Sequence, residues 1–268
     1  MTTPRIRLWR ELATTDFADI DDESSIALLP LAAVEQHGPH LPLSTDADIS
    51  EGIVAATLNR VRGEFDLLVL PMLEFGLSPE HADFPGTLTL EPETMIAALR
   101  EIGTGVADAG LRKLVLFNTH GGQSRILDIA AQALRRARAM MVVSVNLYRL
   151  WNAGELFAPE EVRHGIHAGA VETSIMLHLR PDLVRGEAIA DNPSLSASME
   201  SDYRRLGPFG TVGFGWQTQD LNPSGAVGNA GLASAEAGRT LVESAAEAAA
   251  VLLGETARLP LSTLRKGQ

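Results

Sequence analysis

Four short apolar runs, each separated from the next by a longer helix-forming stretch, fix what this chain can fold into. Ile26-Ala27-Leu28-Leu29, Leu67-Leu68-Val69-Leu70, Leu114-Val115-Leu116-Phe117 and Val142-Val143-Ser144-Val145 are nearly unbroken in apolarity. A strand needs apolar residues on both sides only when both faces of its sheet are covered, so these runs read as strands of a buried, mostly parallel sheet. The segments Asp46–Arg62, Pro92–Ala109 and Gln123–Ala139 read as helices, the second stopped by Gly110. The third has Ile126, Ile129, Ala130, Ala133 and Leu134 at helical spacing, with Arg125, Asp128, Gln132, Arg135 and Arg136 facing away. Strands alternating with helices of this length imply βαβ units and an α/β fold.

The second half is less regular. Val171–Leu179 reads as a helix ending before Pro181, and an Ala-rich helix closes the chain over roughly Ser234–Leu253. Residues 186–230 are rich in Gly, Pro, Ser and Asn and read as long loops with a short hairpin. Loops of that length in a compact domain are usually functional or make subunit contacts. No repeat, linker or domain boundary interrupts the 268 residues, so a single domain is expected, large enough to fold without disulfides. There is no cysteine, which excludes disulfides, thiolate zinc sites, iron–sulfur clusters and a cysteine nucleophile. A net charge of −12 argues against a nucleic-acid partner. No apolar run is long enough to span a bilayer, and the first residues lack the apolar core of a secretory signal. The expectation is a soluble, cytoplasmic protein without a membrane or nucleic-acid partner.

The histidines collect where the chemistry should be. The segment from Pro30 to Asp48 leaves the first strand at its C-terminal end, where ligands bind in open α/β sheets. Glu35 and His37 are two residues apart and point the same way on an extended backbone, and Asp46 opens the next helix. Two carboxylates and an imidazole at one strand end suit a divalent metal. A turn with a helix-capping Asp46 is the plainer alternative. His120, in Asn118-Thr-His-Gly-Gly, leaves the third run in the same way and reads better as a ligand than as packing. The helix behind Gly121-Gly122 aims free N–H groups at that spot. His167 precedes a helix, and Glu172 lies about a turn inside it, so both could face the same strand ends. An ordinary first-turn carboxylate is the alternative for Glu172. His164 reads as a solvated loop residue.

In order along the chain stand Glu35-Gln-His37-Gly-Pro-His40-Leu-Pro-Leu with Asp46, then Glu80-His81 with Phe84-Pro-Gly-Thr87, then Asn118-Thr-His120-Gly-Gly, then His167-Ala-Gly with Glu172-Thr-Ser. Together they resemble the creatininase (creatinine amidohydrolase) family, from about residue 25 to 180 and more faintly over 225–238. The resemblance implies a three-layer α/β/α sandwich with a Rossmann-like sheet, hydrolysis of C–N amide bonds, and a homo-oligomer, commonly a hexamer. It also implies two divalent ions per subunit, zinc first, with manganese or iron also suiting the ligands. Glu35, His37, Asp46 and His120 then match metal ligands, with Asp46 bridging. Creatininase itself carries a tyrosine and a metal-binding glutamate where this chain has Gly121 and Gly122, so Glu172 is the candidate for the missing carboxylate. Gln123 stands where relatives usually have Asn, and no role transfers to Trp151 or Trp216.

Glu35, Asp46 and Glu172 bring three negative charges against the four positive of two divalent ions, and a bridging hydroxide would complete neutrality. The expected reaction is attack of that two-metal-activated hydroxide on the amide of a small polar amide, lactam or formamide. His167 is the candidate acid for the leaving nitrogen. His81, Gly121 and Gly122 are candidates for substrate contact, and His81 could equally be structural. His40, Asp48 and Asn118 are expected to orient the ligands. Relatives that deformylate or trim peptides in cofactor biosynthesis suit the double glycine better than creatininase does. A non-catalytic Rossmann-like binder is disfavoured, because no G-x-G-x-x-G follows the first strand.

Overall fold

The computed structural model describes residues 5–209 and 212–265. Its centre is a five-stranded parallel sheet formed by β1 (Arg5–Leu8), β2 (Ile26–Leu31), β3 (Asp66–Val69), β4 (Lys113–Asn118) and β5 (Met141–Asn146), in the order β1-β3-β2-β4-β5. The four strands read from the sequence are β2 to β5. Strand β1 joins β3 at the edge, with Arg5 opposite Asp66 and Leu8 opposite Val69.

Helices α1 (Thr45–Leu58), α2 (Pro92–Asp108) and α3 (Ser124–Arg138) follow β2, β3 and β4. Two further helices read from the sequence are α5 (Ala170–Leu179) and α8 (Ala235–Arg258). Alternation along β2 shows why both sheet faces had to be apolar. Ile26 and Leu28 pack with Ile49 and Ile53 of α1, Ile175 of α5 and Ala245 and Ala249 of α8. Ala27, Leu29 and Leu31 point the other way, into Met95 and Leu99 of α2 and Leu127 and Leu134 of α3. Helices on both faces of one sheet make the three-layer sandwich.

The region read as loops and a hairpin differs. It contains α6 (Leu195–Asp202) and α7 (Thr218–Leu221), and α4 (Pro159–His164) precedes α5. Among the described residues the only strand pair there joins β6 (Asp191–Asn192) to β7 (Gly228–Asn229), two distant segments rather than a hairpin. Residues 210 and 211 of that stretch lie outside the described residues. His164 is not a solvated loop residue. It ends α4, is buried, and bonds Ser196 Oγ at 2.8 Å.

Lys113, fully buried at the start of β4, holds the end of α8 from below. Its Nζ donates to the carbonyls of Thr256 (3.0 Å), Ala257 (2.6 Å) and Leu259 (2.7 Å). The last carbonyls of a helix have no intrahelical donor, and a cation there also meets the negative end of the helix dipole.

Candidate metal centre

Because all five central strands run the same way, the loops leaving β2 and β4 emerge side by side, and the N-termini of α1 and α5 close over them. This brings together Glu35 and His37 after β2, Asp46 in the first turn of α1, His120 after β4 and Glu172 in the first turn of α5. The ligand atoms of Glu35, Asp46 and His120 all lie within 4.8 Å of one another, and so do those of His37, Asp46 and Glu172. Asp46 belongs to both groups. His120 Nδ1 is 3.1 Å from Glu35 Oε1 and 3.6 Å from Asp46 Oδ2. His37 Nε2 is 3.8 Å from Asp46 Oδ1 and 4.0 Å from Glu172 Oε2.

Each of these rings has its outer proton fixed on a main-chain carbonyl. His37 Nδ1–H donates to Glu35 O at 3.1 Å, which leaves the Nε2 lone pair turned toward the carboxylates. His120 Nε2–H donates to Leu77 O at 2.8 Å, which turns Nδ1 toward Glu35 and Asp46. That is how metal-binding imidazoles are oriented from behind. Glu35 Oε2, His37 Nε2 and Asp46 Oδ2 are buried without a hydrogen-bond partner among the described residues. Buried orphans of this kind require a partner, and a divalent cation between three oxygens and nitrogens supplies one. The donor set fits such an ion.

The electrostatics agree. Burial, reinforced by Glu35, pushes the Asp46 carboxyl well above the usual carboxylate range. Burial also raises Glu172 and Glu80. Glu35 is different: burial opposes its charge, but His120, His81 and His37 hold it well below the ordinary range. Burial works against a charged His120 too, yet Glu35, Asp46 and Glu80 lift it to about 10. Burial and the neighbouring His167 push His37 down to about 3. Positive charge placed among these carboxylates would relieve their mutual repulsion.

His167 stands at the same centre. Its Nδ1 is 3.9 Å from Glu35 Oε1, and Glu35, His37 and His167 form a third group with ligand atoms within 4.8 Å. Its backbone pairs with Val227, which ties this loop to the segment before β7. Glu161 of α4 braces the same region, accepting from Ala170 N at 2.8 Å and Asn229 N at 2.9 Å. His81 is buried, with Nε2 3.5 Å from Glu35 Oε1. Gly121 and Gly122 are exposed beside His120 at the start of α3. The remaining polar residues of the motifs point elsewhere. His40 bonds Thr173 Oγ1 at 2.9 Å, behind Glu172. Asp48 accepts from Ser44 and from Arg180, which pins α1 to the residue following α5. Asn118 shapes the His120 loop, donating to His120 O at 2.6 Å and accepting from its N–H at 3.2 Å.

Three residues that the sequence reading named without giving a role belong to this site. Gln123, fully buried, donates to Asn118 Oδ1 and Ala32 O and accepts from Leu77 N, stitching the exits of β2 and β4 to the loop that holds His120. Gln36 contacts both His81 and His167. Glu80 brings a carboxylate 3.6 Å from His120 Nε2. The only available signal was position: Gln36 sits between two candidate ligands, and Glu80 precedes a candidate histidine.

Comparison with known proteins agrees with this geometry. The sequence signature of the family described as "Creatininase: Creatinine amidohydrolase" matches residues 10–253. The chain belongs to the creatininase family. It is 30% identical over 220 residues to a mycofactocin precursor peptide peptidase of Mycobacterium ulcerans (strain Agy99), covering 78% of this chain and 82% of that protein. It is 30% identical over 188 residues to a creatinine amidohydrolase of Pseudomonas putida, covering 63% of this chain and 69% of that one. Among solved structures, one titled "Creatininase Mn" superposes with a TM-score of 0.75 at 26% identity, over 92% of this chain and 97% of the other. No helix among the described residues of this creatininase-family hydrolase is long and apolar enough to cross a membrane.

Proposed function

We propose that the chain is a metal-dependent amidohydrolase that cleaves a C–N bond other than a peptide bond, in a small polar amide, lactam or formamide. The observation that carries this reading is the pair of ligand groups joined by Asp46, with orphaned donor atoms from Glu35, His37 and Asp46 turned into it. Glu35, Asp46 and His120 would hold one divalent ion, and His37, Asp46 and Glu172 the other. Zinc is the first expectation and manganese or iron the alternatives. Such a pair, when bound, lowers the pKa of water toward neutrality and polarises a substrate carbonyl.

The chain's own residues do the rest. Glu35 O and Leu77 O hold the ring protons of His37 and His120, so both imidazoles stay aimed without reorganisation. The exposed backbone of Gly121 and Gly122 lets a substrate approach the start of α3, where N–H groups favour a developing oxyanion. An amide nitrogen must be protonated before it leaves. His167, with Nδ1 facing the centre, gives that proton when both its nitrogens are protonated.

A second reading is peptide trimming, favoured by the similarity to a mycofactocin precursor peptide peptidase and by the open space around Gly121. We also propose assembly as a homo-oligomer, for which Leu195, Tyr203, Leu206 and Phe214 offer exposed apolar surface. Amine release from a panel of creatinine, lactams, formamides and short peptides, assayed with the zinc- and manganese-loaded protein, tests the reaction. Creatinine should turn over below about 1 per second, because Gly121 and Gly122 reshape the pocket. Hydrolysis of none of the panel by a fully metal-loaded protein would overturn the amidohydrolase reading.

A further inference from the structure

We propose that Gln36 is a positioning residue that fixes the tautomer of His81 through its side chain and that of His167 through its carbonyl, so that in their uncharged forms the two rings present opposite faces to the centre. His167 stacks between His37 and His81, with ring centroids 4.2 and 4.3 Å apart. Neither His81 nor His167 is chemically directed by its own position in this stack, because either nitrogen of a neutral imidazole can bear the proton. The direction comes from Gln36.

The Gln36 amide can be oriented from its partners alone. Gly38 N–H reaches one end of it, at 2.9 Å from Oε1, and only an oxygen can accept there. The Gly225 carbonyl lies 2.9 Å from the other end, and only the NH2 group can donate to it. A flipped amide would face donor with donor and acceptor with acceptor at once. Both partners are glycines with left-handed backbones, at φ +65° for Gly38 and +82° for Gly225. A Cβ on Gly225 would overlap Gln36 Oε1. The seat is therefore built for this amide.

With the amide so oriented, its second N–H points at His81 Nδ1, 2.7 Å away. Neutral His81 must accept there and carry its proton on Nε2, facing Glu35 Oε1 at 3.5 Å. Thr218 Oγ1 also lies 2.9 Å from His81 Nδ1, but its hydroxyl has the Glu80 carbonyl to donate to at 2.9 Å. His167 is set the other way. Its Nε2–H donates to the Gln36 main-chain carbonyl at 2.7 Å, so its lone pair is on Nδ1, on the side of Glu35. The 3.3 Å approach of Gln36 Nε2 to His167 Nε2 brings two donors together and is packing. One residue thus gives the centre a hydrogen-bond donor at His81 and an acceptor at His167. A substrate oxygen can be met by the first and a proton received by the second; this catalytic consequence rests on the hydrolase reading, whereas the tautomers do not.

Nitrogen-15 NMR of the full chain labelled in histidine and loaded with zinc reads the tautomers directly. The wild type should show His81 protonated on Nε2 and bare on Nδ1. Thr218→Val, which removes the competing hydroxyl, should leave that pattern unchanged. Gln36→Glu keeps an acceptor for Gly38 but puts a carboxylate oxygen against His81 Nδ1, and should move the His81 proton to Nδ1. His167 should stay protonated on Nε2 in all three, since its partner is main chain. A wild-type His81 protonated on Nδ1, or a switch in Thr218→Val instead of Gln36→Glu, would overturn the proposal. If Gln36→Glu does not fold, the other two spectra decide. Zinc content of the same samples separates the two claims: normal zinc with the wrong tautomers defeats this inference alone, and absent zinc defeats the hydrolase reading.

Discussion

The Glu80 carboxylate occupies the space into which a side chain on residue 122 would project: a Cβ built on Gly122 would overlap Glu80 Oε1 and lie 2.6 Å from His120 Nε2. Gly122 therefore does not leave a hole, whereas the space beside Gly121 is open. A carboxylate from the loop after β3 has moved in, next to His120. Gly122→Ala should push Glu80 aside at a cost of about 1–3 kcal/mol, the usual range for overpacking. In a Glu80→Ala background the same substitution should cost less, because the main obstacle is gone. Denaturant melts of the two single variants and the double variant measure this, and equal costs in both backgrounds would contradict it.

His167→Ala should retain two metal ions, because neither of the two ligand groups joined by Asp46 contains His167. Turnover of an unactivated amide should drop roughly 10²–10⁴-fold, the usual contribution of a general acid. Metal content and rate are measured on one preparation. A fall to one ion per chain would instead make His167 a ligand, through its group with Glu35 and His37.

Metal-free protein should lose stability as pH rises above 6.5, the ordinary histidine value. His37 and His81 are pushed down to about 3 and about 2, chiefly by burial. Below about 6.5 the unfolded chain binds protons that these rings refuse when folded, which favours unfolding, while the raised carboxyls of Asp46, Glu172 and Glu80 take up protons in the folded state and oppose it. His120 is lifted to about 10, so its contribution is fully present below 6.5 and is lost as pH rises from 6.5 to about 10. Melting temperature followed from pH 7 to 10 in chelator should fall, and any part of the raised Asp46, Glu172 and Glu80 carboxyls that titrates there acts in the same direction. A monotonic rise across that range would contradict the assignment of His120.

The sheet was legible because β2 to β5 are buried on both faces and leave apolar runs in the sequence. Strand β1 was not, since Arg-Ile-Arg-Leu carries arginines that pair with Asp66 at an edge. The ligand candidates were legible because they follow strands or open helices. Helices α6 and α7 were hidden because they are short and their stretch is dominated by Ser, Gly and Pro. The parts played by Gln36 and Gln123 could not be read at all. Their meaning depends on Gly225, 189 positions away from Gln36, and on Leu77, 46 from Gln123.

Lys113→Met should destabilise the fold without touching the centre. The carbonyls of Thr256, Ala257 and Leu259 would lose a common donor, and buried acceptors without partners cost about 1–3 kcal/mol each before solvent re-enters. Unfolding free energy should fall while metal content stays the same. A neutral effect on stability would show that water replaces the lysine at no cost.

The most direct test is metal stoichiometry in the wild type, Asp46→Ala and His37→Ala, each reconstituted with zinc or manganese and analysed for bound metal per chain. Asp46 joins both ligand groups, whereas His37 enters only one of the two. The wild type should hold two ions, Asp46→Ala should lose both, and His37→Ala should keep the ion held by Glu35 and His120. Clearly less than one ion per wild-type chain, or equal losses in the two variants, would contradict a centre built around Asp46.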